Sequence, residues 1–457
     1  MSTAIALFTS DLRIHDQPVL RAALDAADRV VPLFVLDDGV LGSRFCAPNR
    51  AAFLADCLED LDASLRARGG RLVVRRGDPV DTAVRLAAET GATAVHLAAG
   101  VSGHAQRRED RLRRALGDLL HIHDAVVTVV AAGAVTPAGR DHFAVFTPYL
   151  RRWEQQPRRD PAPTPRRVPV PDGVQGERMA EVRALLASAA AGDPSPALPR
   201  GGETEGRRRR EAWLGAPLDA YQDRHDDLAG DATSRLSPYL HFGCLSPTEL
   251  VRDAEAAPGP GAAAFVRQLA WRDFHHQVLA ARPAAARLDY RPRGDRWAAD
   301  EQELAAWREG RTGYPVVDAG MRQLAHEGWM HNRARLLTAS FLVKTLYGDW
   351  RAGAAHFLRL LVDGDLANNQ LNWQWVAGTG TDTRPNRVLN PLVQARRFDP
   401  RGDYVRRWVP ELASVEGPAV HRPWRLDPQR RAELDYPEPL VDLEEGTRRF
   451  RQGRGLS

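Results

Sequence analysis

The 457-residue sequence contains little lysine, little cysteine and no long apolar run. Lys344 is the only lysine among 63 basic residues, so arginine supplies nearly all of the positive charge. Because alanine and glycine are also abundant, this composition indicates a codon bias across the genome, and arginine content alone is a weak indicator of nucleic-acid binding. The net charge of +4 and the pI of 9.2 nonetheless suit a polyanionic partner.

No stretch of the sequence approaches the roughly 18 apolar residues of a membrane-spanning helix, so we expect no membrane partner. Residues 1–9 lack the basic region of a signal peptide and are typical of a first strand. Cys46, Cys57 and Cys244 lie far apart without a CxxC pair, which argues against a disulfide framework or a cysteine-ligated cluster. We therefore expect a protein of the reducing cytoplasm, and we expect it to be a monomer.

The length of the chain exceeds one ordinary core and predicts two or three domains. Apolar runs of strand length occupy residues 4–9, 29–36, 71–75 and 93–97, and residues 51–67 carry a helical apolar stripe. Strands that alternate with helices predict an α/β domain over residues 1–130, with a doubly wound, Rossmann-like parallel sheet. No GxGxxG follows the first strand, so nothing there marks a dinucleotide fingerprint.

The composition changes after the predicted sheet. Prolines and an Ala/Gly/Pro mixture predict an inter-domain linker over residues 131–210. Helical patterns then dominate, which predicts an all-α domain over residues 211–435, and residues 436–457 have the composition of a polar tail.

Residues 362–375 are the most informative segment of the chain. They set Asp363 and Asp365 beside several amides, with Trp373 and Trp375 at the end. Asp and Asn are poor helix-interior residues, and a buried indole needs a partner for its N–H. The mixture indicates a pocket wall that faces a polar and aromatic ligand. A metal site at the two aspartates is an alternative, although further ligands at defined offsets are lacking.

Three further motifs each have two interpretations. Thr233 and Ser234 precede a helical run, where hydroxyls either bind an anion or simply cap the helix. Residues 268–275 place glutamine, tryptophan, arginine and histidine on one helix face, either as a binding wall or as core. Asn332 and Arg333 offer an amide and a guanidinium fork for phosphate, or they form an ordinary charged helix start.

These elements resemble, in their order, the DNA photolyase/cryptochrome family, most closely the class I cyclobutane pyrimidine dimer photolyases. The resemblance extends from residues 8–15 to residues 407–412 and is dense between residues 231 and 412. It implies an all-α FAD-binding domain after the α/β domain and linker. It also implies a photoreactivating enzyme, in which light-excited reduced FAD donates an electron to a pyrimidine dimer flipped out of UV-damaged DNA.

The resemblance implies a set of FAD-binding residues. In the family, the aspartate matching Asp363 pairs with the arginine matching Arg335, the one matching Asp365 bonds the ribose or ring edge, and Asn369 matches the amide that faces the flavin N5. The implied cofactor set is Tyr221, Thr233, Ser234, Arg235, Leu236, Ser237, Gln268, Arg272, Asn332, Arg335, Asp363, Gly364, Asp365 and Asn369.

The resemblance also implies catalytic and DNA-binding residues. Trp373, Trp350 and Trp297 match a chain that passes electrons to the flavin, although each could be core packing. Gln268 and Asn369 complete the implied catalytic set. Gln268 stands where many relatives carry glutamate, and a glutamine cannot stabilise a lesion radical anion through a proton. The implied DNA-binding set is Arg224, Trp271, Asn332, Arg333, Trp375, Arg387 and Arg397.

Asn332 and Leu336 stand where relatives that repair the (6-4) lesion place histidines, so the chain resembles the cyclobutane-dimer type. Residues 98–105 lack the Asn-Glu pair of relatives that use methenyltetrahydrofolate as an antenna. Residues 47–50 resemble relatives that bind 8-hydroxy-deazaflavin, so we expect that chromophore. The alternatives are a cryptochrome-type blue-light receptor without repair activity, or an enzyme that repairs the (6-4) lesion.

Overall fold

The computed structural model describes residues 1–257 and 259–456, and five strands in it form one parallel sheet in the order β3-β2-β1-β4-β5. The strands are β1 (Thr3–Phe8), β2 (Arg29–Asp37), β3 (Val73–Gly77), β4 (Ala94–Ala98) and β5 (Leu120–His123). In the central pairs, Leu7 lies opposite Leu33 of β2 and Leu97 of β4. All six residues of β1 are buried, as expected of a central strand covered on both faces.

Five helices belong to this sheet: α1 (Pro18–Ala26), α2 (Asp38–Leu41), α3 (Pro48–Arg66), α4 (Pro79–Thr90) and α5 (Gly103–Leu116). The predicted helix at residues 51–67 is α3, which starts with a proline in its first turn. Helix α4 begins where the Asp78 carboxylate accepts from the backbone of Val80 and Asp81. It ends at Gly91, whose φ of 60° is left-handed. The predicted α/β class of the N-terminal domain is confirmed.

Strand β5 was not predicted from the sequence. Its four residues include His121 and His123, which interrupt the apolar pattern that marks the other strands. Its pairing with β4 therefore depends on tertiary position and is invisible to a periodicity argument.

Residues 131–210, predicted to be a linker, contain helix α6 (Phe146–Glu154), helix α7 (Met179–Ala190) and most of α8 (Glu203–Leu214). Helix α7 packs against α3 of the sheet domain. Trp153 of α6 donates its indole N–H to Asp273 of the helical domain at 2.9 Å. The segment thus holds the two domains together through buried contacts.

The remaining chain is helical, which confirms the predicted all-α class of this domain. The helices are α9 (Ala216–Asp219), α10 (Tyr221–Arg224), α11 (Ser237–His241), α12 (Pro247–Ala256), α13 (Pro260–Ala281), α14 (Glu301–Glu309), α15 (Pro315–Glu327), α16 (Asn332–Ser340), α17 (Trp350–Leu360), α18 (Leu366–Ala377), α19 (Pro391–Phe398), α20 (Asp403–Trp408), α21 (Pro428–Ala432) and α22 (Leu443–Arg454). Within the described ranges, no helix has the length and apolar character needed to cross a bilayer.

The end of the chain is a packed helix rather than the expected polar tail. Phe450 of α22 is 2% exposed, and the Arg454 guanidinium pairs with Asp295, both side chains being buried. Gly446 lies so close to Thr345 that a Cβ would meet its backbone. The polar composition misled the prediction because only one narrow face of α22 is apolar.

Candidate functional site

The loop between α17 and α18 brings the two aspartates of the informative segment into one place. The Arg335 guanidinium of α16 donates to Asp363 Oδ2 at 2.8 Å, so the pair expected from the resemblance forms. Asp363 is 4% exposed, and its other oxygen, Oδ1, is buried without a hydrogen-bond partner among the described residues. A buried carboxylate oxygen in this condition is rare in native proteins and indicates a position that a ligand completes.

Asp365 caps the N-terminus of α18 and also contacts His276 of α13. Its Oδ1 accepts from the Asn368 backbone N–H at 2.7 Å, and its Oδ2 lies 3.1 Å from His276 Nε2. Burial alone would raise the pKa of Asp365, but His276 and Arg272 lower it well below the usual range. Asp365 is therefore a fixed negative charge at the N-terminus of α18.

Two buried histidines beside Asp365 stay neutral at pH 7. Burial lowers the pKa of His241 to about 4, and it lowers the pKa of His275 to about 4. His275 Nδ1 lies 3.0 Å from Asn368 Oδ1, while its Nε2 is buried without a partner in the described chain.

The segment before α11 forms an irregular turn. Helix α11 begins at Ser237, so neither Thr233 nor Ser234 caps it. Arg235 has a left-handed φ of 50° and contacts Asp231 and Glu327, with its guanidinium 4.3 Å from the Trp329 ring. The Thr233 hydroxyl is buried without a partner among the described residues. Two more residues of the implied FAD-binding set lie in this turn: Leu236 is buried, and Ser237 accepts a hydrogen bond from the Trp329 indole at 3.3 Å.

Asn369 and Gly364 lie on either side of Asp365 in the sequence. Asn369 is 8% exposed, and its amide nitrogen donates to Ala354 O at 3.1 Å. A Cβ at Gly364 would lie 2.7 Å from Arg50 Nη1, so a larger residue at this point would displace the Arg50 guanidinium. Arg50 belongs to α3 and donates to Leu361 O at 2.8 Å, which ties the sheet domain to this loop.

Helix α13 presents one side of the site. Gln268 is exposed, Trp271 is half-buried, and the Arg272 guanidinium donates inward to Val127 O at 2.6 Å and Leu240 O at 3.3 Å. Trp271 stacks on Phe146 of α6 with ring centroids 3.7 Å apart and an interplanar angle of 8°. One face of this indole is therefore covered by protein, and a flat ligand could use only the other.

The three tryptophans of the implied electron chain occupy three different settings. Trp373 is 2% exposed, and its indole packs against Gly353 of α17. Trp350 is fully buried and donates to Asp289 Oδ1 at 2.8 Å. Trp297 is half-buried, with its ring 5.0 Å from that of Tyr347. Burial thus decreases from Trp373 and Trp350 to Trp297.

The arginines implied for DNA binding differ in whether their guanidinium groups are already paired with a carboxylate. The Arg333 fork is occupied by Asp226, at 3.1 and 2.6 Å. Arg387 is exposed and lies 4.7 Å from the Trp375 ring, and Arg397 is exposed beside Phe398. The fourth arginine, Arg224, is exposed and lies 3.4 Å from Asp227. Asn332, which is also in the implied DNA-binding set, is exposed at the start of α16.

Tyr221 is buried against Trp213 and Phe265, with ring centroids 5.3 and 5.9 Å away. Sequence reasoning missed His241, His276 and Arg50, which contact the Asp363 to Asp365 loop. His276 directly follows the motif at residues 268–275, and His241 lies in the part of the chain where the resemblance is dense, so these positions were the available signals. Arg50 lies more than three hundred residues before the loop, and nothing in the sequence connects the two.

The residues present fit a ligand that carries phosphates and a hydrogen-bonding ring. Thr233 Oγ1 and Asp363 Oδ1 are buried polar atoms without partners in the described chain, and such atoms call for a bound group. Asp365, His276 and the Arg335–Asp363 pair add fixed charges and donors within the same region.

Comparison with known proteins agrees with this geometry. A family model described as the FAD binding domain of DNA photolyase matches residues 265–454, and one described as DNA photolyase matches residues 4–169. The chain is 64% identical to the deoxyribodipyrimidine photo-lyase of Streptomyces griseus over 100% of both chains. Its fold matches a class III photolyase of Agrobacterium tumefaciens (TM-score 0.91, 30% identity, 100% and 97% of the two chains). It also matches a Sulfolobus tokodaii photolyase solved with two FAD molecules (TM-score 0.84, 30% identity, 100% of both chains).

Proposed function

The chain belongs to the DNA photolyase family, and we infer from this membership that it catalyses the light-dependent repair of cyclobutane pyrimidine dimers in DNA. FAD is its cofactor, and UV-damaged DNA is its substrate. The observation that carries this conclusion is the 64% identity to a photo-lyase along the entire length of both chains.

We propose that two groups of residues hold FAD. The irregular turn at residues 233–237 supplies hydroxyls and N–H groups to the diphosphate, in keeping with the Thr233 hydroxyl, which is buried without a partner among the described residues. Asp363, positioned by Arg335, and Asp365, positioned by His276, accept hydrogen bonds from the ring edge or ribose. Asn369 faces the N5 position of the ring, and Tyr221, Arg272, Gln268 and Asn332 complete the pocket.

When bound and reduced, FAD supplies an electron donor that light can excite. The protein's own part is to bind the flipped dimer beside this donor and to exclude water. We propose that Trp271 and Trp375 stack on the dimer, each from one side. Phe146 holds the Trp271 ring flat, and stacking of a base on an aromatic ring contributes roughly 1–3 kcal/mol.

Gln268 and Asn332 are exposed amides without side-chain partners in the described ranges, so both are available to base edges. An amide donates and accepts hydrogen bonds but carries no acidic proton. Gln268 therefore orients the dimer in this protein, and charge that develops on the dimer is stabilised by hydrogen bonding alone. Arg224, Arg333, Arg387 and Arg397 bind phosphates around the opening without reading sequence.

The test of the function is an illumination assay. Reduced protein is mixed with dimer-containing DNA, exposed to blue or near-UV light, and followed by the recovery of thymine absorbance. Recovery that requires light is expected for the wild type, and Trp271→Ala should lose most of it. Protein that holds FAD but restores no absorbance under light would contradict the proposed function.

The alternative of a light receptor without repair is favoured by one observation, the glutamine at position 268. Gln268→Glu separates the two possibilities in the same assay. A repair enzyme should keep its activity or increase it with glutamate, whereas a receptor should remain inactive. Repair of the (6-4) lesion is tested by replacing the DNA with one that carries that lesion.

We also propose an antenna chromophore, 8-hydroxy-deazaflavin rather than methenyltetrahydrofolate, in the sheet domain. The sheet order reverses direction between β1 and β4, and ligands of such sheets bind at the carboxyl ends of the strands at this point. Arg108, next to this edge, has a buried Nε without a partner among the described residues, and His104 lies 2.9 Å from Asp37. By contrast, the Asn49 amide already donates a hydrogen bond to Ser195, and the Arg50 guanidinium already donates one to Leu361 O.

Reconstitution tests the antenna. The purified protein is titrated with each chromophore, and energy transfer to FAD is followed by fluorescence. Transfer from the deazaflavin alone is expected, and binding of the folate alone would contradict the assignment. We further propose a monomer of the cytoplasm, in keeping with the three free cysteines, and light scattering of the purified protein tests its monomeric state.

A further inference from the structure

Trp350 has a charged hydrogen-bond acceptor, which Trp373, the other buried tryptophan of the implied electron chain, lacks among the described residues. Its indole Nε1 donates to Asp289 Oδ1 at 2.8 Å. Trp350 is fully buried, and the Asp289 side chain is 18% exposed, so little water competes for this bond. A carboxylate in such a place acts more strongly on the indole than it would in solvent.

Trp350 and Trp373 lie on facing surfaces of α17 and α18. The Trp373 ring packs against Gly353, which is one helical turn after Trp350 and therefore on the same face of α17. Both indoles therefore belong to the packed surfaces of this helix pair.

Asp289 is held in place by the residue that follows Trp373. The Gln374 amide nitrogen donates to Leu288 O at 3.1 Å, and its oxygen accepts from the Tyr290 N–H at 2.7 Å. Gln374 is fully buried, so these bonds fix the backbone on both sides of Asp289. The position of the carboxylate is therefore set by α18 itself.

Other charges also face Trp350. The Arg351 guanidinium lies 4.8 Å from the Trp350 ring, where its positive charge opposes removal of an electron from the indole. Arg351 is bound by Asp289 at 2.8 Å and by Asp349 at 3.1 Å. Two carboxylates surround one guanidinium, which leaves a net negative charge beside the indole.

We propose that Asp289 is a positioning residue for electron supply to the flavin, because its carboxylate stabilises Trp350 after the indole has lost an electron. The inference rests on the proposed function and deepens it. With FAD bound, Trp373 would supply one electron to the flavin under light, and Trp350 would then return an electron to Trp373 and become a cation. Its N–H proton stays in the bond to Asp289, and no covalent bond breaks. Trp297 then returns an electron to Trp350, and a thiol reductant in solution restores Trp297.

The experiment compares three variants of the FAD-loaded protein by transient absorption after a light pulse. Asp289→Asn keeps a hydrogen-bond acceptor but removes the charge. Asp349→Asn removes an equal charge from the same arginine and keeps the helix cap, since Asn caps as well as Asp. Trp350→Phe removes the indole.

We expect Asp289→Asn to lower the yield of long-lived oxidised tryptophan by on the order of tenfold, while Asp349→Asn stays within about twofold of the wild type. Asp289→Asn should also change the spectrum of oxidised tryptophan between its cationic and neutral forms, which a purely structural role would not do. Equal yields in Asp289→Asn and Asp349→Asn, with Trp350→Phe impaired, would overturn this inference alone. Normal yields in Trp350→Phe would instead refute the tryptophan chain that the family resemblance implies, and would leave the repair activity of the proposed function to its own assay.

Discussion

The Arg335 guanidinium of α16 and the buried Asp363 carboxylate of the loop before α18 form an ion pair at 2.8 Å, although one oxygen of Asp363 has no partner in the described chain. Only one of the two Asp363 oxygens is therefore hydrogen-bonded by the described residues. Such a carboxylate is costly to bury unless a ligand completes its hydrogen bonds.

Asp363→Asn should therefore weaken FAD binding. Replacement removes the charge that Arg335 neutralises and a strong acceptor for the ligand, and a hydrogen bond to a charged group contributes about 1.5–3 kcal/mol. We expect the affinity for FAD to fall by about tenfold or more, measured by flavin fluorescence during titration of the apoprotein. The matched control is Glu89→Gln, which breaks the exposed pair with Arg75 in the sheet domain. Full retention of FAD by Asp363→Asn would show that Asp363 does not face the cofactor.

Gly353→Ala should destabilise the protein. Alanine has a higher helix propensity than glycine by about 1 kcal/mol, so an unobstructed site would become more stable. Here the added Cβ would collide with the Trp373 ring, and overpacking of a core costs roughly 1–3 kcal/mol.

The measurement for Gly353 is the free energy of unfolding in urea. Ala355→Gly on the exposed side of the same helix calibrates the propensity effect, since Ala355 is exposed. If Gly353→Ala proves as stable as the wild type, the close packing of Trp373 on α17 is wrong.

Local pattern was enough to predict most of the fold. The four longer strands and α3 have apolar runs or stripes of the right length, and each lies within a few residues of its predicted bounds. Strand β5 and helix α22 could not be predicted, because the first has two histidines and the second only a narrow apolar face. Both are stabilised by contacts with distant parts of the chain.

Fewer residues of the candidate site than elements of the fold could be predicted from the sequence. The loop at residues 363–365 stood out because its residue types suit no ordinary helix. Its partners did not stand out: Asp365 bonds His276 across 89 residues, and Arg50 reaches Leu361 across 311. Resemblance to the family supplied Arg335, but contacts such as Trp350 with Asp289 required coordinates.

Acid should destabilise the folded protein between about pH 6.5 and pH 4. Burial lowers the pKa of His241, His275 and His331 to about 4, while the unfolded chain retains the ordinary value near 6.5. In this window the unfolded state binds more protons, so stability falls as pH falls and levels off below pH 4. Each histidine contributes on the order of 1–3 kcal/mol.

Urea unfolding at pH 7 and at pH 5 measures this effect. His275→Asn should reduce the difference between the two pH values, whereas His104→Asn, at an exposed position, should leave it unchanged. A difference that is the same in all three proteins would contradict the buried neutral state of His275.

Asp226→Asn should strengthen binding to undamaged DNA. Both arms of the Arg333 fork are occupied by Asp226, so a phosphate must displace this carboxylate. Loss of the carboxylate frees the guanidinium and removes a negative charge from the proposed DNA face. The salt dependence should steepen by about one counterion, since each neutralised phosphate releases roughly one.

Fluorescence anisotropy with labelled duplexes, over a range of salt concentrations, measures the affinity and the salt dependence. Asp25→Asn is the matched control, because Asp25 pairs with Arg21 on α1 and its replacement changes the net charge equally. We expect Asp226→Asn to bind undamaged DNA several-fold more tightly than Asp25→Asn does, and Arg333→Gln to cancel that gain. Because the extra contact is made to phosphate, affinity for damaged and undamaged DNA should rise together and the preference for the dimer should not increase. Identical affinities and salt slopes in Asp226→Asn and Asp25→Asn would show that Arg333 does not bind the DNA backbone.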